Sequence, residues 1–291
     1  MSWRSNTAVH YCISAFEINQ AYYFDGFSSQ TIEGLQRRGK TAYACKSFAN
    51  AFGEWEFKPY PHVTKPDFES VKNWLTFMPK EYLDVIMDVD EKVRGCILDD
   101  AGLWLYALDW YDPFVKAVNK WLQVCGTRFG TVYLTTPNKS LISSKVLDAL
   151  PEMRVCRVEK NGIDSLRNRP RLAKVYERWD YPDGKKGGVK TLYEDKFNAM
   201  LPDDFYAWYK PKRDSYLDLA LQLLQTEVVK LNKLMQMKGV PLSDEEKMKL
   251  AEKDDAMNIV DKALGGDTEL LEVGEVLKML EVDQIRRSKK A

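Results

Sequence analysis

Gly34-Leu35-Gln36-Arg37-Arg38-Gly39-Lys40-Thr41 decides how the rest of the chain is read, because it fills the pattern G-x-x-x-x-G-K-[ST] and is followed by a stretch, Ala42 to Phe52, that reads as helix. The pattern carries a mechanism. Glycines let backbone N–H groups turn inward around phosphates, Lys40 brings positive charge to the β and γ oxygens, and the Thr41 hydroxyl can ligate Mg²⁺. The helix that follows adds its positive end. Gly34, Leu35, Gln36, Arg37, Arg38, Gly39, Lys40, Thr41 and Ala42 are therefore the expected phosphate-binding residues. Two features depart from the usual form. The loop interior holds two arginines, and the preceding Ser28-Ser29-Gln30-Thr31-Ile32-Glu33 has one large aliphatic where such strands are commonly apolar throughout. An arginine-rich surface turn before a helix is the competing reading.

A second element follows at a suitable distance. Val93-Arg94-Gly95-Cys96-Ile97-Leu98 is a short apolar strand ending in Asp99-Asp100, as in a Walker B segment. Asp99 is expected to hold Mg²⁺ through water, and Asp100 stands where many ATPases carry a glutamate that orients the attacking water. Asp100 is one methylene shorter than that glutamate, which predicts slow hydrolysis. A third element, Gly130-Thr131-Val132-Tyr133-Leu134-Thr135-Thr136-Pro137-Asn138, is a β-branched strand running into polar residues. A polar sensor of the γ-phosphate is expected at its end, with Asn138 or Thr136 as candidates and a Thr-Thr-Pro-Asn turn as the alternative.

Leu98-Asp99-Asp100-Ala101-Gly102-Leu103-Trp104-Leu105, the Trp110-Tyr111 pair and Leu134-Thr135-Thr136-Pro137 resemble the DnaA-like, AAA+-related P-loop ATPases of archaeal viruses and plasmids. The resemblance spans roughly residues 28 to 180. It implies ATP binding, assembly into a homo-oligomer and a role on DNA. In ring or filament ATPases a neighbouring subunit also supplies an arginine, and Arg128 and Arg154 are the candidates.

The chain has 291 residues, 45% hydrophobic and 30% charged, which suits a globular core of P-loop size with an appendage. Neither a membrane-spanning run nor a signal segment is evident, so a cytoplasmic protein with no membrane partner is expected. Cys12, Cys45, Cys96, Cys125 and Cys156 are scattered without a C-x-x-C pair and read as buried small hydrophobes. With 43 basic and 43 acidic residues the formal net charge is zero. The distribution is uneven: Arg154, Arg157, Arg167, Arg169, Arg171, Lys174, Arg178, Lys185, Lys186, Lys190, Lys210, Lys212 and Arg213 interleave with Tyr176, Trp179, Tyr181, Tyr193, Tyr206, Trp208 and Tyr209. Basic and aromatic residues in alternation can track a phosphate backbone and stack on bases, so the 154–213 region is a candidate DNA surface, as is the basic tail Arg286 to Lys290. Solvated strand faces with inward aromatics would produce the same composition.

Three regions are expected: an N-terminal strand or arm over 1–27, a P-loop ATPase core with a β-rich extension over 28–213, and a helical C-terminal region over 214–291. Alternating strand and helix signals in 28–160 favour a parallel sheet covered by helices. Asp67 to Phe77 and Asp112 to Cys125 have helical spacing. Leu172 to Trp179 alternates in part like a strand, and Pro202 and Pro211 punctuate the passage to a helix of about six turns, Leu217 to Met235. Ser243-Asp244-Glu245-Glu246 opens another helix in capping-box form.

The resulting fold expectation is an α/β P-loop NTPase of the additional-strand class. ATP and Mg²⁺ would sit at the strands' C-terminal ends, with Lys40 stabilising phosphoryl charge, Thr41 and Asp99 positioning the metal, Asp100 polarising water and Asn138 sensing the γ-phosphate. Three functions remain open: an ATPase acting on DNA in replication initiation, remodelling or translocation; a nucleotide-switched assembly or partition protein with little turnover; and a phosphotransferase, kept in view by Arg167-Asn168-Arg169-Pro170-Arg171.

Overall fold

Strand β2 (Ser28–Glu33) forms parallel ladders with β7 (Phe129–Thr136) on one side and β8 (Arg154–Lys160) on the other, and this triplet is the centre of the sheet. The computed structural model describes residues 3–4, 12–56, 62–87, 89–107, 112–150, 154–178 and 188–237. Beyond β7, the sheet continues in parallel through β6 (Val93–Leu98) to a two-residue edge strand, β5 (Leu75–Thr76). Beyond β8, it turns antiparallel through β9 (Pro170–Arg178) and β10 (Val189–Asn198), and β1 (Trp3–Arg4) pairs parallel to β10. The order is β1-β10-β9-β8-β2-β7-β6-β5, an α/β arrangement with a mostly parallel sheet flanked by helices. A separate small hairpin pairs β3 (Glu54–Glu56) with β4 (His62–Lys65).

Side-chain alternation along β7 assigns the two faces. Val132 and Leu134 join a buried cluster with Cys96 and Leu98 of β6. Its other members include Tyr82 of α4 (Pro79–Met87), Ala101 of α5 (Ala101–Trp104), Val115, Val118 and Leu122 of α6 (Pro113–Leu122) and Val146 of α7 (Ser144–Ala149). Tyr133 points the other way, its ring edge-on to Phe48 of α2 (Lys40–Phe52) at 5.3 Å between centroids. α1 (Ile13–Tyr23) packs beside α2 on that second face. The apolar content of the sheet is thus shared between two layers, as strands buried on both faces require.

α1 lies in a stretch whose sequence shows no clear period, and its anchor comes from far along the chain. Cys12, at its N-cap, makes no side-chain cap. Asp195 of β10, 2% exposed, takes that role: its carboxylate accepts from the amides of Ile13 at 2.9 Å and Ser14 at 3.3 Å, from the Ser14 hydroxyl at 3.0 Å and from the Tyr43 hydroxyl at 2.8 Å. Burial raises the Asp195 carboxyl above its ordinary value against the pull of these hydrogen bonds.

Three expectations about elements are corrected. Asp67 to Phe77 is not one helix: α3 (Phe68–Lys72) ends within two turns and β5 follows. Parallel pairing outweighs helical spacing there, because Ile97 N donates to Trp74 O at 2.8 Å and Asp99 N to Thr76 O at 2.9 Å. The helix after the glycine-rich turn starts at Lys40 rather than Ala42. Pro211 does not interrupt the chain but lies inside α8 (Asp203–Met237), which begins where Tyr206 N reaches Pro202 O at 2.8 Å. A proline inside a helix removes one backbone donor and crowds the carbonyl four residues back, at a cost of about 3 kcal/mol that the rest of α8 carries.

The chain divides into two compact units, Met1–Tyr209 and Lys210–Ala291. The first contains the whole eight-stranded sheet. In the second, the described residues 210–237 continue α8, with the Ser215 hydroxyl bonded to Pro211 O at 3.1 Å and the Thr226 hydroxyl to Gln222 O at 2.9 Å. Trp110-Tyr111, Trp179 to Lys186, the capping box at Ser243 and the basic tail lie outside the described residues. No helix among the described residues is long and apolar enough to cross a membrane.

Candidate functional site

The turn Gly34–Gly39 leaves the carboxyl end of β2 and runs directly into α2. Two of its residues have left-handed backbones, Arg37 at φ 60° and Gly39 at φ 91°. Gly34 has a positive φ of 153°, which side chains rarely adopt, and approaches the backbone so closely that a Cβ there would stand 2.8 Å from Val158 O. The turn is tied down at both ends: Gly34 N donates to Pro137 O at 3.3 Å, and Arg38 N closes back on Leu35 O at 3.3 Å. Opening α2 immediately afterwards leaves the first-turn amides of that helix directed out of its N-terminus.

Lys40, 8% exposed, folds back over this turn, its ammonium donating to Gly34 O at 3.0 Å and Leu35 O at 3.4 Å. A positive charge is thereby held within the concavity. Thr41, one residue on, donates its hydroxyl to Asp99 Oδ1 at 2.7 Å. Residues 58 positions apart in sequence thus meet at one carboxylate oxygen. Asp99 is 2% exposed, and the same oxygen accepts from the Thr135 hydroxyl at 2.6 Å. Thr135 in turn accepts from Asp100 N at 2.9 Å, which fixes the turn after β6 in a left-handed conformation with Asp100 at φ 49°. The oxygen donors brought together at Thr41 and Asp99 suit a hard divalent cation, since Mg²⁺ is commonly held by one or two carboxylates with phosphate oxygens completing its shell.

Beside the turn opens a cavity of about 530 Å³, lined in part by Glu33, Leu35, Arg38, Pro137, Asn138 and Arg157. Glu33, buried, is one of its lining residues. It accepts from Arg157 Nε at 2.7 Å and Lys139 N at 3.3 Å, joining the ends of β2, β7 and β8. The carboxylate beside it raises the Arg157 guanidinium above its ordinary value.

The sequence-predicted residues therefore separate into two groups. Gly34 to Thr41, Ala42, Asp99 and Asp100 converge at one end of the sheet. Asn138 does not reach Asp99: it is exposed, and its side-chain oxygen caps a short turn by accepting from Ser140 N at 3.0 Å. Thr136 donates to Asn138 O at 3.0 Å. The polar residue at the end of β7 that meets the Asp99 carboxylate is Thr135, which the sequence reading passed over.

Both candidate arginines lie away from this chain's own turn, as an arginine offered to a neighbouring subunit would. Arg128 precedes the first residue of β7, at the far end of an eight-residue strand from Thr136, roughly 25 Å away by strand rise. Arg154 lies opposite Gln30, in mid-strand register, and its guanidinium is engaged with Glu17 at 2.7 Å and Glu177 at 3.8 Å. Much of the basic cluster is likewise paired within the sheet: Lys174 with Glu159 at 3.6 Å, Lys190 with Glu177 at 2.7 Å and Arg171 with Asp164 at 2.6 Å. Tyr193 and Tyr209 are buried. Arg167 and Arg169 stand exposed on the β8–β9 connection, beside Ile163 and Leu166, 92% and 94% exposed. All five cysteines are buried free thiols, and burial raises their titration above the ordinary thiol range, which argues against nucleophilic roles.

No protein-family model matches the chain. Over 213 residues it is 25% identical to Uncharacterized protein B-251 of Sulfolobus spindle-shape virus 1, an overlap covering 72% of this chain and 82% of that protein.

Proposed function

We propose that this protein binds a nucleoside triphosphate, ATP, with Mg²⁺ in the Gly34–Thr41 turn and hydrolyses it, as an oligomeric P-loop ATPase acting on DNA. The observation that carries the reading is the 2.7 Å bond from the Thr41 hydroxyl to Asp99 Oδ1, which brings the helix start and the acidic strand end to the same point. Strand order supports it as well: β7 lies between β2 and β6, as the additional-strand class of P-loop proteins requires. The neighbouring cavity of about 530 Å³ is of the size that small-molecule sites use. Resemblance to the DnaA-like ATPases supports the choice of ATP and of DNA.

In this reading Lys40 exchanges the carbonyls of Gly34 and Leu35 for phosphate oxygens, the α2 amides hold the anion, and Thr41 and Asp99 hold Mg²⁺, which neutralises phosphate charge. Thr135 keeps the Asp99 carboxylate oriented. Asp100 orients the attacking water, the Thr135 bond fixing its backbone. Among the described residues, Arg167 and Arg169 offer exposed cationic surface for DNA contact. A second reading, a nucleotide-switched assembly protein with little turnover, is favoured by Asp100, whose side chain is one methylene shorter than the usual glutamate.

Phosphate release measured with and without single- and double-stranded DNA, beside particle size with and without ATP, separates the two. DNA-stimulated release supports the ATPase; ATP-dependent assembly without release supports the switch. Lys40→Ala should weaken MgATP binding by more than about a hundredfold, since it removes a largely buried cation from the phosphate site. Unchanged MgATP affinity in that variant refutes the assignment of the turn.

A further inference from the structure

Arg171 is a buried cation that none of the roles above uses. It is the second residue of β9, 2% exposed, and its guanidinium forks onto Asp164, Nη1 to Oδ1 at 2.6 Å and Nη2 to Oδ2 at 3.1 Å. Nη1 also donates to Pro170 O at 2.9 Å. A further donor, Nε, reaches out of β9 to the backbone carbonyl of Arg38 at 3.0 Å. A buried guanidinium is retained only when its donors are met, and here one of them is met by the glycine-bounded turn itself.

That carbonyl belongs to the peptide joining Arg38 to Gly39, between left-handed Arg37 and left-handed Gly39. A trans peptide is planar, with its C=O and N–H on opposite sides. Holding the Arg38 carbonyl toward Arg171 therefore turns the Gly39 N–H the other way. A flip of this one peptide, readily tolerated beside a glycine, would present a carbonyl to the anion in place of a donor.

We propose that Arg171, locked by Asp164, is a positioning residue for the phosphate turn: it fixes the Arg38–Gly39 peptide in the sense that aims the Gly39 amide at the bound anion. The proposal rests on the nucleotide reading for its ligand, while its structural half concerns the turn alone. Arg171 holds the Asp164 carboxyl down at about 2, as a firmly paired fork should.

The test uses the full chain and Arg171→Met, Arg171→Lys and Asp164→Asn. Amide hydrogen exchange over residues 34–41 is followed without ligand, equilibrium binding with MgATP, and thermal melting on the same samples. Arg171→Met should weaken MgATP roughly tenfold to a hundredfold, the worth of a charge-assisted hydrogen bond, and speed exchange in the turn while exchange in β2 and β7 holds. Arg171→Lys, which keeps the charge but not the fork, should recover part of the affinity, and Asp164→Asn should fall between. Wild-type affinity and wild-type exchange in Arg171→Met overturn the proposal, as does exchange that rises evenly over the whole sheet. Should Arg171→Met not fold, unchanged exchange at 34–41 in Asp164→Asn overturns it equally. If the wild-type chain fails to bind MgATP while Arg171→Met still loosens the turn, the nucleotide reading falls and the positioning role stands.

Discussion

Replacing Gly39 by alanine tests the geometry of the turn without touching a charge. Gly39 has φ 91° and ψ 28°, and a Cβ built there would stand 2.7 Å from the Ala199 methyl carbon. Ordinary carbon–carbon contact is about 3.5–4.0 Å, so the two methyls overlap by roughly 1 Å. Placing alanine in a left-handed backbone costs about 1–2 kcal/mol, and forcing an extra methyl into a packed contact costs about 1–3 kcal/mol. The expected loss is their sum, about 2–5 kcal/mol, or roughly 5–15 °C in melting temperature for a unit of this size. Thermal unfolding followed by circular dichroism measures it, and a cycle with Ala199→Gly divides it. The double variant should regain the contact part and keep the dihedral part, since removing the Ala199 methyl relieves the first and leaves φ unchanged. A Gly39→Ala protein melting within about 1 °C of wild type, or an Ala199→Gly background that restores nothing, would refute the conformation and the contact respectively.

Two further predictions concern buried charge on the α1–α2 face. Burial holds the Lys46 ammonium down to about 8, from 10.5. Between those values the unfolded chain binds a proton that the folded chain does not, so folding stability rises as pH climbs from about 8 to 10.5. Lys46→Met should flatten that rise and stabilise the protein at neutral pH by roughly 1–3 kcal/mol, read from urea midpoints across the range; an unchanged pH slope would refute the burial of this charge. Asp195→Ala should cost about 3–5 kcal/mol by leaving the Ile13 and Ser14 amides and the Tyr43 hydroxyl without their acceptor, and Asp195→Asn less. Urea unfolding decides it, and a loss below about 1 kcal/mol would mean that α1 is anchored elsewhere.

The fold was legible where a strand carried an apolar or β-branched run with a motif at its end, and not at β8 or β10, whose seven and ten residues carry neither. β6 and β7 could be read from β-branched and apolar runs, and α2 from what precedes it. β5 could not, since two residues give no period, and Val71, Trp74 and Leu75 continue the spacing of a helix across the junction. What makes Leu75–Thr76 a strand is a partner 22 positions away, Leu75 lying opposite Ile97 and Thr76 opposite Leu98. α1 was hidden for the same reason. Its N-terminal acceptor, Asp195, is supplied by a strand 182 positions from Ile13.

At the candidate site, that Thr135 rather than Asn138 meets Asp99 has a physical cause that the sequence already contained. Along a strand, alternate residues share a face. Val132 and Leu134 point to the α4–α7 layer and Tyr133 to α2, so Thr135 must face α2, where Thr41 begins that helix. The same parity on β6 sends Cys96 and Leu98 to the α4–α7 layer and Asp99 toward α2. Once one residue in each strand is assigned to a layer, the polar residue that meets the Asp99 carboxylate is fixed as Thr135, while Thr136 is turned away and Asn138 lies beyond the ladder, where it caps its own turn. The motif identifies the loop from residue types alone. Its partners on the neighbouring strands are chosen by face, and polarity at a strand end names three candidates where pleating admits one.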